Sequence, residues 1–171
     1  MHSLLFITLF LSSLLMTVPS AIAENPGLEI GKYAPTFELR DLAGQPVALS
    51  SLRGKVVLLN FWSTLCEPCT AEMPSLTRLD HDLKNSGFLV LAVSIDSSDK
   101  SVREFVREKN IAFAVLRDKE KEVFFDLFAG PSLPASYLLD RKGIIIETFS
   151  GPKEWDSPAM KAIILKALNP N

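Results

Sequence analysis

Between Lys55 and Trp62 the chain reads KVVLLNFW, an apolar run broken only by Asn60. A strand with one wet face alternates apolar and polar residues; this one does not, so both of its faces must be covered. That demand leaves a central strand of a sheet with structure packed on each side. The next segments narrow the choice. From Cys69 the apolar positions Met73, Leu76, Leu79 and Leu83 recur at helical spacing until Gly87 stops the pattern, and a second buried strand, FLVLAVSI, begins at Phe88.

The remaining chain keeps the same alternation. Ahead of the central run, TFELRDLAGQPVAL (Thr36 to Leu49) alternates apolar and polar residues about an Asp-Leu-Ala-Gly turn and reads as a β-hairpin. Ser101 with Glu104 forms a capping box expected to open a helix that buries Val102, Phe105 and Val106. AFAVL reads as a short strand, and a helix from about Asp118 is expected to bury Val123, Phe124, Leu127 and Phe128 before the loop AGPSLP. ASYLLD and GIIIETFS are strands joined through Arg141-Lys142-Gly143. Ser157-Pro158 starts a last helix with Met160, Ile163, Ile164 and Leu168 inward. Strands alternating with helices and closed by a hairpin and a helix indicate a three-layer α/β sandwich.

The 171 residues are 47% hydrophobic with a net charge of −2, enough for one domain with a full core. No basic stripe with interleaved aromatics is present, so nucleic acid is not an expected partner. The first residues differ from the rest. SLLFITLFLSSLLMTVPSAIA carries no charge and ends in Ala21-Ile22-Ala23, a small-x-small pattern, so residues 1–23 read as an export signal and 24–171 as the folded domain. The alternative is an uncleaved membrane anchor through residues 4–23, although the apolar run is short for a span of roughly 20 residues.

Cys66 and Cys69 are the only cysteines. A bridge across two residues closes a very small loop and constrains little of the unfolded chain, so a purely structural role is weakly motivated. A metal site needs more ligands than the sequence supplies: no second pair exists, His2 leaves with the signal, and His81 is expected on the solvated side of the first helix. The pair falls instead at a strand-to-helix junction, where unsatisfied N–H groups and the helix dipole favour thiolate over thiol. Cys66, nearer the strand end, is the expected nucleophile, and Cys69, one turn in, the resolving thiol. Glu72 stands three residues after Cys69, within helical reach of the thiols, where a solvated first-turn carboxylate is the plain alternative. Pro74 inside the helical pattern is expected to kink it.

In APTFELRDLAGQPVALSSLRGKVVLLNFWSTLCEPC and LPASYLLDRKGIIIETFSG, in that order and spacing, the chain resembles the exported thiol-disulfide oxidoreductases of the TlpA, ResA and DsbE type in the thioredoxin superfamily. The resemblance implies a thioredoxin fold with an N-terminal β-hairpin and a central inserted helix-strand. It implies that Pro134 is cis and that the backbone of Leu133 pairs with an extended substrate. It implies that Glu72 is a proton acceptor, standing in for a buried strand Asp whose position is Asn60 here, and that Trp62 lies beside the active site. Glu67 and Pro68 between the cysteines would tune the reduction potential. Leu65 departs from the Trp that many relatives carry before the first cysteine, which leaves the surface around the disulfide this chain's own.

The function so implied is two-electron exchange through Cys66 and Cys69 with no dissociable cofactor, as a reductant of substrate proteins in the periplasm or an equivalent compartment. A membrane thiol donor would recharge it, commonly for cytochrome c maturation. Two rivals remain: a thiol peroxidase of the peroxiredoxin branch, which shares the hairpin and LRGKVVLLNF, and a non-catalytic binding protein with an inert disulfide.

Overall fold

A computed structural model describes residues 28–170. The elements in chain order are β1 (Glu38–Asp41), β2 (Pro46–Ala48), β3 (Val56–Trp62), α1 (Glu67–Leu83), β4 (Phe88–Ser94), α2 (Asp99–Glu108), β5 (Ala114–Arg117), β6 (Ala135–Leu139), β7 (Ile145–Ser150) and α3 (Pro158–Leu168). They form one seven-stranded sheet in the order β2-β1-β5-β4-β3-β6-β7. β3, β4 and β5 are parallel, linked by the crossover helices α1 and α2, while β6 and β7 pair antiparallel on one side and the β1–β2 hairpin joins β5 on the other.

β3 sits where the apolar run requires, with every residue buried. Its alternation divides the core. Val56, Leu58 and Trp62 face Met73, Leu76 and Leu79 of α1, Val102 of α2, and Ile164 and Leu168 of α3. Val57, Leu59 and Phe61 face Phe37, Leu49, Phe124, Phe128 and Tyr137 on the other side. Each such side chain taken out of water contributes roughly 1.5–3 kcal/mol. Asn60 has the parity of Leu58 and Trp62, so the pleat aims its amide at α1.

All three α-helices contribute to the first of these clusters. The opposite face is covered by shorter pieces: the segment through Ala34 and Phe37, a 3₁₀ turn at Leu49–Leu52, and a π-helical turn at Val123–Leu127. That last turn replaces the helix expected from Asp118. The Asp118 carboxylate accepts from the N–H groups of Val123 (3.4 Å) and Phe124 (2.9 Å). The turn then opens to an i→i+5 bond, Phe128 N–H to Val123 O at 3.0 Å. The wider turn brings Phe124 and Phe128 together on Phe61, with ring centroids 5.2 and 5.0 Å away. Leu127, expected to be inward, is exposed.

α2 also begins earlier than its capping box indicates. Ser98 is the N-cap, its Oγ accepting from Ser101 N–H at 3.3 Å, and Val102 alone of the expected trio is fully buried. The hairpin has its turn where expected, with Asp41 Oδ1 accepting from the N–H groups of Ala43 and Gln45, each at 2.8 Å. α1 runs continuously through Pro74 from Glu67 to Leu83.

Candidate active site

Cys66 lies after the last residue of β3, separated by Ser63, Thr64 and Leu65, and is the N-cap of α1. Its backbone is extended (φ −95°, ψ 100°), and its Sγ accepts from the Cys69 N–H at 3.3 Å. Sulfur therefore occupies the place where a Ser or Asp oxygen ordinarily satisfies a free helix N–H. Pro68 has no N–H to leave unsatisfied at the start of the helix. The two cysteines form a disulfide with Cα atoms 5.2 Å apart, Cys66 half-buried and Cys69 fully buried. In the dithiol, a charge on Cys66 would face an N–H and the positive end of a 17-residue helix, whereas Cys69 sits in the apolar cluster of Trp62 and Met73.

The three-residue approach to Cys66 is held by Asp96, just beyond β4. Its carboxylate accepts from Thr64 N–H (3.0 Å), Thr64 Oγ1 (2.7 Å), Ser63 Oγ (3.0 Å) and Ser94 Oγ (2.8 Å). Burial pushes the Asp96 pKa up, but these donors outweigh it and hold the group below the ordinary carboxylate range. Ser63 extends the network, its Oγ accepting from Leu65 N–H at 3.1 Å and its carbonyl from Cys66 N–H at 3.1 Å. The sequence reading missed Asp96. The available signal was its place past the carboxyl end of the strand next to β3, where sites in parallel sheets are built.

Glu72 is not the solvated first-turn carboxylate that was the plain alternative. It is 3% exposed, one turn along α1 from Cys69 on the buried side of the helix. Oε1 accepts from Asn60 Nδ2 at 2.8 Å; Oε2 accepts from Lys153 N–H at 3.0 Å and Trp155 Nε1 at 2.9 Å. Asn60 Nδ2 also donates to Ser136 Oγ at 2.9 Å, across the β3–β6 register. Burial raises the Glu72 pKa above its usual value, against the downward pull of the Lys153, Asn60 and Trp155 donors and the Lys153 charge. Asn60 is therefore a donor to the carboxylate, joined by two residues from the β7–α3 connection that spacing alone could not nominate.

Leu133 and Pro134, joined by a cis peptide bond, follow the π-helical turn and precede β6. Leu133 and Cys66 line one groove of about 420 Å³, together with Thr64, Leu65, Ser98 and Lys121. Leu65 projects almost entirely into solvent, 93% exposed. Trp62 is fully buried behind Cys69, its ring tilted on Phe105 at 5.2 Å, and so presents no surface to a docked partner. Glu67 and Pro68 are exposed at the start of α1. His81 is on the solvated side of that helix. Among the described residues no cluster of three or more His, Cys, Asp or Glu is placed to hold a metal ion.

Residues 30–148 match the model of the AhpC/TSA family. The thiol-disulfide oxidoreductase ResA of Bacillus thuringiensis (strain Al Hakam) is 38% identical over 129 residues, covering 75% of this chain and 74% of its own. The thioredoxin-like protein YneN of Bacillus subtilis (strain 168) is 38% identical over 131 residues, 75% of each chain. Among solved structures, one from Chlorobium tepidum described as a thiol:disulfide interchange protein DsbE superposes with a TM-score of 0.77 at 32% identity. It covers 83% of this chain and 99% of that one.

Proposed function

The chain belongs to the AhpC/TSA family and is a thiol-disulfide oxidoreductase of the ResA type, and from that premise we propose that it is an exported reductant of protein disulfides in which Cys66 attacks, Cys69 resolves and Glu72 carries the proton. The observation that carries this reading is the asymmetry of the pair: Cys66 caps a helix at a groove, and Cys69 is buried one helical turn before a buried carboxylate.

The Cys66 thiolate attacks one sulfur of the substrate disulfide. A Cys66–substrate disulfide forms and the other substrate sulfur departs as a thiolate. Cys69 then gives its proton to the Glu72 carboxylate and attacks Cys66 Sγ, expelling the second substrate sulfur; the released thiolates take up protons, one of them by way of Glu72. Two electrons pass to the substrate, and the pair is left as the Cys66–Cys69 disulfide. Leu133 offers its backbone to the substrate strand along the same groove, and Leu65 adds an apolar contact beside the attacking sulfur. A membrane dithiol donor restores the pair, and an apocytochrome c is a fitting substrate class.

The export signal of residues 1–23 lies outside the described residues, as does the alternative anchor through residues 4–23. Among the described residues no helix is long and apolar enough to cross a membrane. Intact mass of the exported protein tests cleavage after Ala23; a product retaining residues 1–23 means an anchor. The redox state of the pair in cells tests direction: mostly dithiol with a working membrane donor, and disulfide without it. A pair oxidised in both backgrounds overturns the reductant role. The AhpC/TSA match also supports a second reading, a thiol peroxidase. Peroxide consumption as fast as protein-disulfide reduction would favour it.

A further inference from the structure

The loop between β7 and α3 carries Lys153-Glu154-Trp155-Asp156, and three α1 residues spaced by three clamp it. Glu72 accepts from Lys153 N–H and Trp155 Nε1. Ser75 Oγ accepts from Trp155 N–H at 3.1 Å and lies 3.3 Å from Lys153 O. Arg78 pairs with Glu154 at 3.0 Å and Asp156 at 2.5 Å. Positions i, i+3 and i+6 follow one another along one stripe of a helix, so the stripe that begins beside the thiols ends at the surface. Trp155 is fully buried, its ring edge-on to Phe149 at 5.2 Å. That packing leaves the indole N–H aimed at Glu72 Oε2.

We propose that Trp155 is a positioning residue of the redox site: its indole N–H orients the Glu72 carboxylate and sets how tightly that carboxylate holds a proton. This rests on the reading of Glu72 as the proton carrier. The groups around Glu72 are few. β3 contributes Asn60, a neutral donor, with Ser136 of β6 behind it. α1 contributes Cys69 and Ser75. The loop contributes Trp155 and Lys153, whose ammonium is drawn back to the carbonyls of Ser150 (2.8 Å) and Gly151 (3.3 Å), while the Glu154 and Asp156 charges are paired with Arg78. Trp155 is thus the one side-chain donor from the loop to Oε2. A donor to the ionised form favours it, so removing that donor makes Glu72 harder to ionise.

The test uses the full exported chain with ¹⁵N-labelled tryptophan. It contains two tryptophans, and among the described residues Trp62 Nε1 has no acceptor. The indole N–H resonance that disappears in Trp155→Phe should titrate in the wild type, and in Glu72→Gln it should stop titrating. In Trp155→Phe the acid limb of the pH–rate profile for reduction of a disulfide-bonded test protein should move up by about one pH unit, the scale of one hydrogen bond to a charged group. A substitution that only loosens the loop lowers stability and leaves that limb in place. A Trp155 resonance insensitive to Glu72, or a profile unmoved by Trp155→Phe, overturns the inference. A profile unmoved by Glu72→Gln overturns instead the proton-carrier role on which it rests. Should Trp155→Phe fail to fold, the wild-type resonance, assigned by elimination in Trp62→Phe, decides alone.

Discussion

Glu72 is kept out of water and yet given three donors, a combination that leaves it ionisable but reluctant. Its raised pKa has a sign for stability. The folded state holds the proton to higher pH than the unfolded chain does, so Glu72 favours folding below its ordinary pKa, and that contribution is lost as pH rises through the raised folded value. Glu72→Gln removes the charge and keeps the shape. The Gln carbonyl can face Lys153 and Trp155, and its NH₂ can face Asn60 Oδ1, which has no partner among the described residues, once the Asn60 amide turns over. The variant should therefore be at least as stable as the wild type at neutral pH by denaturant titration, the difference closing in acid, while exchange slows on the order of a hundredfold at neutral pH. A variant less stable at neutral pH would show that the charge itself is favourable to the fold. Spacing on α1 made Glu72 legible as a candidate. Its donors were not legible, because Lys153 and Trp155 reach it from 81 and 83 residues away.

Two short connections border the groove at Cys66, each built around a carboxylate that caps backbone N–H groups. Asp96 fixes the β3–α1 connection and Asp118 the π-helical turn. The Asp96 pKa is held low, so its contribution is present above the ordinary carboxylate pKa and lost as pH falls through the folded value. Asp96→Ala should lose about 2–3 kcal/mol at neutral pH by denaturant titration, with the gap to wild type narrowing in acid. It should also slow attack by Cys66, since the cap residue loses its support. Gly130 limits the second connection: a side chain there would run into the Phe124 ring, which packs on Phe61. Gly130→Ala should cost about 1–3 kcal/mol and weaken substrate engagement at Leu133, measured as KM for a disulfide-bonded protein. The central strands were legible as unbroken apolar runs, and α1 by the helical period of its buried positions. The turn at Val123–Leu127 was not, because Val123, Phe124 and Phe128 fit a helical spacing while the rings of Phe124 and Phe128 require a wider turn to meet Phe61. Nor was the start of α2, where Ser98 and Ser101 both offer a cap oxygen and tertiary placement selects Ser98.

At the scale of the molecule, the run that must be buried on both faces becomes the strand that delivers the pair. Three residues separate the end of β3 from Cys66, α1 begins at the residue after it, and the segment leading into β6 brings Leu133 to the same groove. The strand and helix that flank the pair are legible in the sequence, since each is local and strongly patterned, whereas the place of Leu133 is implied only by the family resemblance. The arrangement of the hairpin beside β5 and of the β7–α3 loop against α1 depends on contacts between distant segments, which no local pattern encodes. In the proposed exchange, attack and resolution are divided between a half-buried and a fully buried cysteine, and trapping the covalent intermediate tests that division most directly. In Cys69→Ser, the Cys66–substrate disulfide has no resolving thiol and should accumulate on non-reducing gels as a discrete adduct with substrate proteins. In Cys66→Ser no adduct should form, because Cys69 is fully buried and cannot reach a partner docked along Leu133. Adducts of equal yield from both variants, or from Cys66→Ser alone, would contradict the division of roles.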